Sequence, residues 1–155
     1  MISSLPYRLG VGLVIINNQA EIFTGRRLDS TKAWQMPQGG IDNNEIPLEA
    51  AYREMGEETG IQKRKVALLK QSKLWYRYDL PQEIQSKFWG GKFRGQSQKW
   101  FLFKFIGINS DINIETKDPE FSDWRWSKKT DMLDSIVPFK KSLYQSVLKD
   151  FDLDL

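Results

Sequence analysis

The stretch Gly39–Ile61 reads GGIDNNEIPLEAAYREMGEETGI, and its spacing decides what the rest of the chain can be. Gly39, Glu45, Arg53, Glu54, Glu57, Glu58 and Gly60 stand at set intervals, with Met55 and Ile61 as aliphatic positions between and after them. Proline at 47 suits the first helical position, where its missing N–H would be orphaned anyway. Gly60 suits the left-handed conformation that ends a helix. A helix over Pro47–Thr59, flanked by two loops, follows. On it Glu54, Glu57 and Glu58 fall at i, i+3 and i+4, so their carboxylates gather on one side. Like charges there cost about 0.3 kcal/mol per pair, and the nearby helix C-terminus adds to the cost. Either the cluster is a solvated acidic face or a hard divalent cation reconciles it. Oxygen-only ligands select Mg2+ or Mn2+ over zinc or copper and leave the cation open to phosphate oxygens. Gly56 within the helix costs roughly 1 kcal/mol relative to alanine, for which close packing and tolerated weakness are equally good explanations.

Working outward, residues 8–16 and 20–27 are β-rich and separated by Asn17-Asn18-Gln19, which predicts a hairpin. A loop from about Asp29 to Lys32 leads to Trp34-Gln35-Met36-Pro37, where proline fits only a strand end or edge. Residues 66–78 and 98–108 are long β-rich stretches with too many apolar residues for an exposed face. Between them, PQEIQSKFWGGKFRGQS is long enough to be a functional loop. Phe121–Ser127 predicts a short strand. Pro138 to about Phe151 predicts a helix with Phe139, Leu143, Val147 and Phe151 on its apolar line and Lys140, Lys141 and Lys149 off it. Helices around a β-rich middle predict an α/β fold, a mixed sheet covered on two sides.

The 155 residues suit one compact domain, residues 1–155. With neither cysteine nor histidine, disulfides, thiolate metal sites, thiol nucleophiles and the commonest general base are excluded. Catalysis would have to run on carboxylates, Lys, Tyr, Arg, hydroxyls and a bound metal. The 23 basic and 20 acidic residues leave a slight positive excess, compatible with polyanions but not diagnostic of them. No segment resembles a secretory signal or a membrane span, so a cytoplasmic location is expected.

The spacing at 39–61 matches the signature of the Nudix hydrolases, with every fixed position present. The resemblance extends to Tyr7-Arg8, Arg26-Arg27, Pro37-Gln38-Gly39-Gly40, Arg77-Tyr78, Leu80-Pro81, Gly95-Gln96, Gln98-Lys99-Trp100-Phe101, Pro119-Glu120-Phe121, Trp124-Arg125-Trp126 and Phe139-Lys140. These blocks are similar to the bacterial RNA pyrophosphohydrolases, also described as dinucleoside polyphosphate hydrolases. The resemblance implies an α/β/α sandwich with a loop–helix–loop catalytic motif. It implies metal-dependent hydrolysis of phosphoanhydride bonds, on RNA 5′ ends at the start of mRNA decay or on dinucleoside polyphosphates, with no obligate protein partner. Mg2+, or Mn2+ or another divalent cation, would be held by Glu54, Glu57, Glu58 and the carbonyl of Gly39. Glu45 and Arg53 would pair to brace the loop, and Arg53 would count with Glu54, Glu57, Glu58 and Glu120 among the catalytic residues.

Glu120 is either a fourth carboxylate, for metal or proton transfer, or an exposed loop acid. Arg8, Arg27, Lys99 and Lys140 can offer charge to a polyphosphate, and Phe139 a surface for a base, although each also suits an ordinary core or surface position. By resemblance Gln38, Tyr78, Gln96 and Gln98 belong around the same nucleotide cleft. Leu9-Gly10, Met36 and the loop at 29–33 depart from the common pattern, which leaves the choice between RNA ends and free dinucleotides open. A non-catalytic nucleotide- or RNA-binding domain would be expected to have lost motif carboxylates, and all three remain.

Overall fold

The computed structural model describes residues 4–29 and 32–153; residues 30 and 31 of the expected loop lie outside them. A seven-stranded mixed sheet runs through the molecule. Its strands are β1 (Tyr7–Ile16), β2 (Ile22–Arg27), β3 (Trp34–Gln35), β4 (Gln38–Gly40), β5 (Val66–Asp79), β6 (Gly95–Phe105) and β7 (Phe121–Ser127). The order along the main path is β3-β2-β1-β6-β5, with β4 beside β1 and β7 beside β2. The helices are α1 (Pro47–Thr59), α2 (Gln82–Gln85), α3 (Lys129–Ser135) and α4 (Lys141–Asp150).

Strand alternation sorts the apolar residues into two layers. Val11, Leu13 and Ile15 of β1 and Phe101, Phe103 and Phe105 of β6 pack with Ala50, Ala51 and Met55 of α1. Their neighbours Val14, Trp100 and Leu102 face the other way, against Met132 of α3 and Leu143, Tyr144, Val147 and Leu148 of α4. The sheet is therefore covered on both faces, as the helix–sheet–helix pattern predicts. No helix among the described residues is long and apolar enough to cross a membrane.

Several expectations need correction. The expected hairpin forms, β1 antiparallel to β2, but it is short, with one register pair, Ile16 with Ile22. β1 also runs parallel to β6 over ten pairs from Tyr7–Gly95 to Ile16–Lys104, and β2 turns aside to β7 and β3. The strand expected at 98–108 occupies 95–105, so Gly95–Ser97 belong to the sheet rather than to the preceding loop. The helix expected from Pro138 begins as a 3-10 turn, Pro138–Lys140, before α4. Helix α3 was not foreseen, its apolar residues being too few to show a period.

α1 occupies the expected span and ends at Gly60 with φ of 71°, whose N–H donates to the Gly56 carbonyl. A Cβ there would lie 2.4 Å from the Asn113 carbonyl oxygen. Gly60→Ala therefore combines left-handed strain with a backbone clash, and it is expected to cost about 2 kcal/mol or more in a denaturant melt.

Candidate active site

The site starts from two backbone facts. β4 lies antiparallel to β1, placing Gly39 opposite Val11 and Gly40 opposite Gly10. α1 then packs so closely on β4 that a Cβ on Gly39 would fall 1.9 Å from the Glu54 carboxyl carbon. Glycine is needed here for approach, since only a bare backbone fits beside that carboxylate.

Arg53 ties the loop to the helix. Its Nε and Nη2 donate to both oxygens of Glu45, at 2.8 and 2.9 Å, and Nη2 also donates to the Gly40 carbonyl at 2.7 Å. Nη1 reaches Glu54 at 2.8 Å and Glu57 at 3.2 Å. One guanidinium thus neutralises a group of carboxylates that would otherwise repel one another.

The three motif glutamates differ in environment. Glu57 is exposed, whereas Glu54 and Glu58 are buried. Desolvation pushes Glu54 up to about 7 despite the opposing Arg53. Glu58 lies well above the usual carboxylate range because of burial, and the charges of Glu54 and Glu120 push it further. The Gln38 N–H, donating to Glu58 Oε2 at 3.2 Å, and the charge of Lys140 oppose this. Glu120 itself is exposed, on the loop before β7, where its carbonyl accepts a hydrogen bond from Leu28.

Among the described residues no three carboxylates enclose a metal ion as they stand, Arg53 holding Glu54 and Glu57 to itself. The donor chemistry nevertheless fits a hard divalent cation. The side chains are all oxygen donors, and two of them are buried where the anion is costly until a cation joins it. Glu54 gains affinity for protons on folding, so the metal-free protein binds more of them than its unfolded chain between about pH 4.5 and about pH 7. Stability from this group is full below that window and lost as pH rises through it. In thermal melts, saturating Mg2+ is expected to raise Tm by about 5 °C at pH 8 over the chelated protein and by less near pH 5.

A cleft of about 850 Å³ lies in front of these carboxylates and draws walls from both layers. Glu54, Glu57, Glu58, Gly39 and Glu120 form one side. Arg8, Arg27, Tyr78, Phe139 and Lys140 line it elsewhere, with Gln38 and Gln96. Arg27 is held by Asp29, at 2.6 Å, and by Gln35. The ammonium of Lys140, only 3% exposed, lies 3.5 Å from Gln35 Oε1 and 5.0 Å from the centre of the Tyr78 ring. Burial lowers it to about 7, with repulsion from Arg27 second. A phosphate entering here would favour its charged form. Tyr78 and Phe139 pack with ring centroids 6.0 Å apart. Arg8 rests 5.3 Å over the Trp89 ring.

Not every expected residue reaches the cleft. Glu45 and Arg53 stand behind it, as a brace. Gln98 is fully buried and donates to Gln38 and Gln96, at 3.0 and 2.6 Å, so it acts on the cleft only through their amides. Lys99 is a correction: one residue out of phase with Gln96 and Gln98 on β6, it projects from the opposite face of the sheet and does not line the cleft. Lys140 is also corrected from a residue off the apolar line to a buried one. Trp89, Phe88 and Ile84 of the long insert line the cleft without having been singled out, as do Asp29, Gln35 and Lys117. The insert's length was the available signal for the first three.

The NUDIX domain family matches residues 6–147. An RNA pyrophosphohydrolase of Rickettsia canadensis is 53% identical over 149 residues, covering 96% of this chain and 91% of that protein. One from Dinoroseobacter shibae is 51% identical over 151 residues, covering 97% and 94%. Among solved structures, an Ap4A hydrolase of C. elegans superposes with a TM-score of 0.68 at 21% identity, over 94% of this chain and 98% of that one. The E. coli dihydroneopterin triphosphate pyrophosphohydrolase gives 0.73 at 15%, over 94% and 99%. These structures share the fold.

Proposed function

The chain belongs to the NUDIX domain family, and from that premise we propose that it is a Mg2+-dependent RNA 5′ pyrophosphohydrolase, converting tri- or diphosphorylated RNA ends to 5′-monophosphates. The observation that carries this reading is one cleft lined by Glu54, Glu57, Glu58 and Glu120 together with Arg8, Arg27 and Lys140. That arrangement suits a cation and a polyphosphate side by side, and the relatives named above point to RNA as the bearer of the phosphates.

Glu54, Glu57, Glu58 and Glu120, with the Gly39 carbonyl, would hold the cation. When bound, it supplies Lewis-acid charge to the phosphoryl oxygens and acidifies water. The water oxygen forms a new bond to phosphorus as a phosphoanhydride P–O bond breaks. Pyrophosphate or phosphate leaves and the RNA keeps its 5′-monophosphate. Arg8, Arg27 and Lys140 neutralise charge on the phosphates. Tyr78 and Phe139 offer ring surface to a base, while the Gln38–Gln96–Gln98 amides fix the polar edge of the cleft. A carboxylate of this group, Glu54, Glu58 or the exposed Glu120, takes the proton from water.

The same reading takes the chain as one hydrolase domain working in the cytoplasm. Its test is product analysis on 5′-triphosphorylated RNA: Mg2+-dependent release of pyrophosphate supports it, and release that persists in chelator contradicts it. A second reading, with dinucleoside polyphosphates as main substrates, is favoured by the additional ring surface of Trp89 in the cleft.

A further inference from the structure

Strand alternation gives the β1–β6–β5 end of the sheet two distinct faces. Arg8, Gln96 and Tyr78 are register partners on one face, and all three line the cleft. The rows Leu9–Ser97–Arg77 and Val11–Lys99–Trp75 occupy the other. Farther along that face, α1 buries Phe101 and Phe103. At this end the cover thins: Leu9 is 56% exposed and Trp75 41%, Arg77 is exposed and Lys99 half-buried, while Val11 and Ser97 between them stay buried.

The exposed part of this strip alternates cations with rings. Arg77 and Arg94 lie over the Tyr7 ring at 4.9 and 4.8 Å, and Lys99 is the cross-strand partner of Trp75. The acids around it are paired. Asp79 is bound by Arg94 at 3.0 Å, and Asp42 and Glu45, on the loop whose Ile41 N–H donates to Leu9, are held by Arg53. Tyr7 and Arg8 are consecutive residues, so the strip and the cleft meet at the rim where β1 begins.

We propose that this strip is a second RNA-contact surface, receiving the single-stranded chain 3′ of the nucleotides held in the cleft. It rests on the RNA-end reading of that cleft. Arg77 and Lys99 would neutralise backbone phosphates while Trp75 stacks on a base, a mode of binding that tolerates any sequence. A dinucleoside polyphosphate ends inside the cleft and gains nothing from the strip. The surface therefore favours RNA over free dinucleotides without any change in the reacting groups.

The experiment compares Trp75→Ala/Arg77→Gln, and Arg77→Gln alone, with the parent protein. The binding probes are 5′-monophosphorylated single-stranded RNAs of about 4 and about 20 nucleotides, bracketing the usual reach of such surfaces. Fluorescence anisotropy is expected to show about tenfold weaker binding of the longer RNA to the double variant, and a salt slope reduced by about 1. Binding of the tetranucleotide, hydrolysis of diadenosine tetraphosphate and Tm should be unchanged. Equal losses on both lengths, or no loss on either, would overturn the proposal, the latter leaving the strip to a protein partner or to solvent. Parent protein that binds both lengths equally would also overturn it. Failure of the RNA-end reading registers separately, as parent enzyme that turns over only the dinucleotide.

Discussion

Glu58→Gln is expected to lower kcat on triphosphorylated RNA by about 10³-fold while making the metal-free protein more stable. The two effects share one cause. Glu58 is 6% exposed, and the charges of Glu54 and Glu120 act against its own. Glutamine keeps the shape and can still accept the Gln38 N–H, but it carries no charge for a cation and takes no proton from water. Removing one preorganised electrostatic group of this kind costs about 10²- to 10³-fold, and here cation binding falls with it. The stability gain follows because the metal-free fold no longer has to protonate this buried carboxyl or hold it charged without a counter-ion. Single-turnover kinetics and melts in chelator would read both. A folded variant with full activity would exclude Glu58 from the chemistry.

Arg53→Ala is expected to be the most damaging single change to stability near the site. Its guanidinium binds Glu45 through two nitrogens, caps the Gly40 carbonyl and bridges Glu54 and Glu57. Without it the carboxylates face each other across the loop–helix junction. Breaking a fully buried pair costs about 3–5 kcal/mol, and Arg53 retains partial solvent contact, so a loss of about 2–3 kcal/mol and roughly 5–10 °C in Tm is expected. Arg53→Lys should recover only part of this, because an ammonium cannot reproduce the fork that meets both Glu45 oxygens. Melting of both variants in chelator checks the brace apart from any bound metal.

Local features of the site were legible in the sequence. The spacing of Glu54, Glu57 and Glu58 puts them on one helix side, and Pro47 and Gly60 mark the helix ends by their own backbone restrictions. What failed depended on contacts distant along the chain. The β1–β2 hairpin forms, as proximity favours, but only at Ile16 and Ile22, and Leu13 and Ile15 find their partners in Phe101 and Phe103, far down the sequence. Lys140 lies off the apolar line expected for the C-terminal helix and is nevertheless buried, because Gln35 of β3 and Tyr78 of β5 approach it. Lys99 is different: the period-two rule sets it opposite Gln96 and Gln98, so its exclusion from the cleft could have been read from the strand alone. Trp89 had no periodic signal, being fixed by a turn in which it, Gly90 and Gly91 all take positive φ.

The most direct test of the central claim is the ratio of kcat/KM, with Mg2+, for a short 5′-triphosphorylated RNA against diadenosine tetraphosphate, with Glu57→Gln as the inactive control. An RNA end-processing enzyme gives a ratio well above one, with the RNA recovered as a Glu57-dependent 5′-monophosphate. A ratio well below one would contradict the claim and make the protein a dinucleoside polyphosphate hydrolase on the same scaffold.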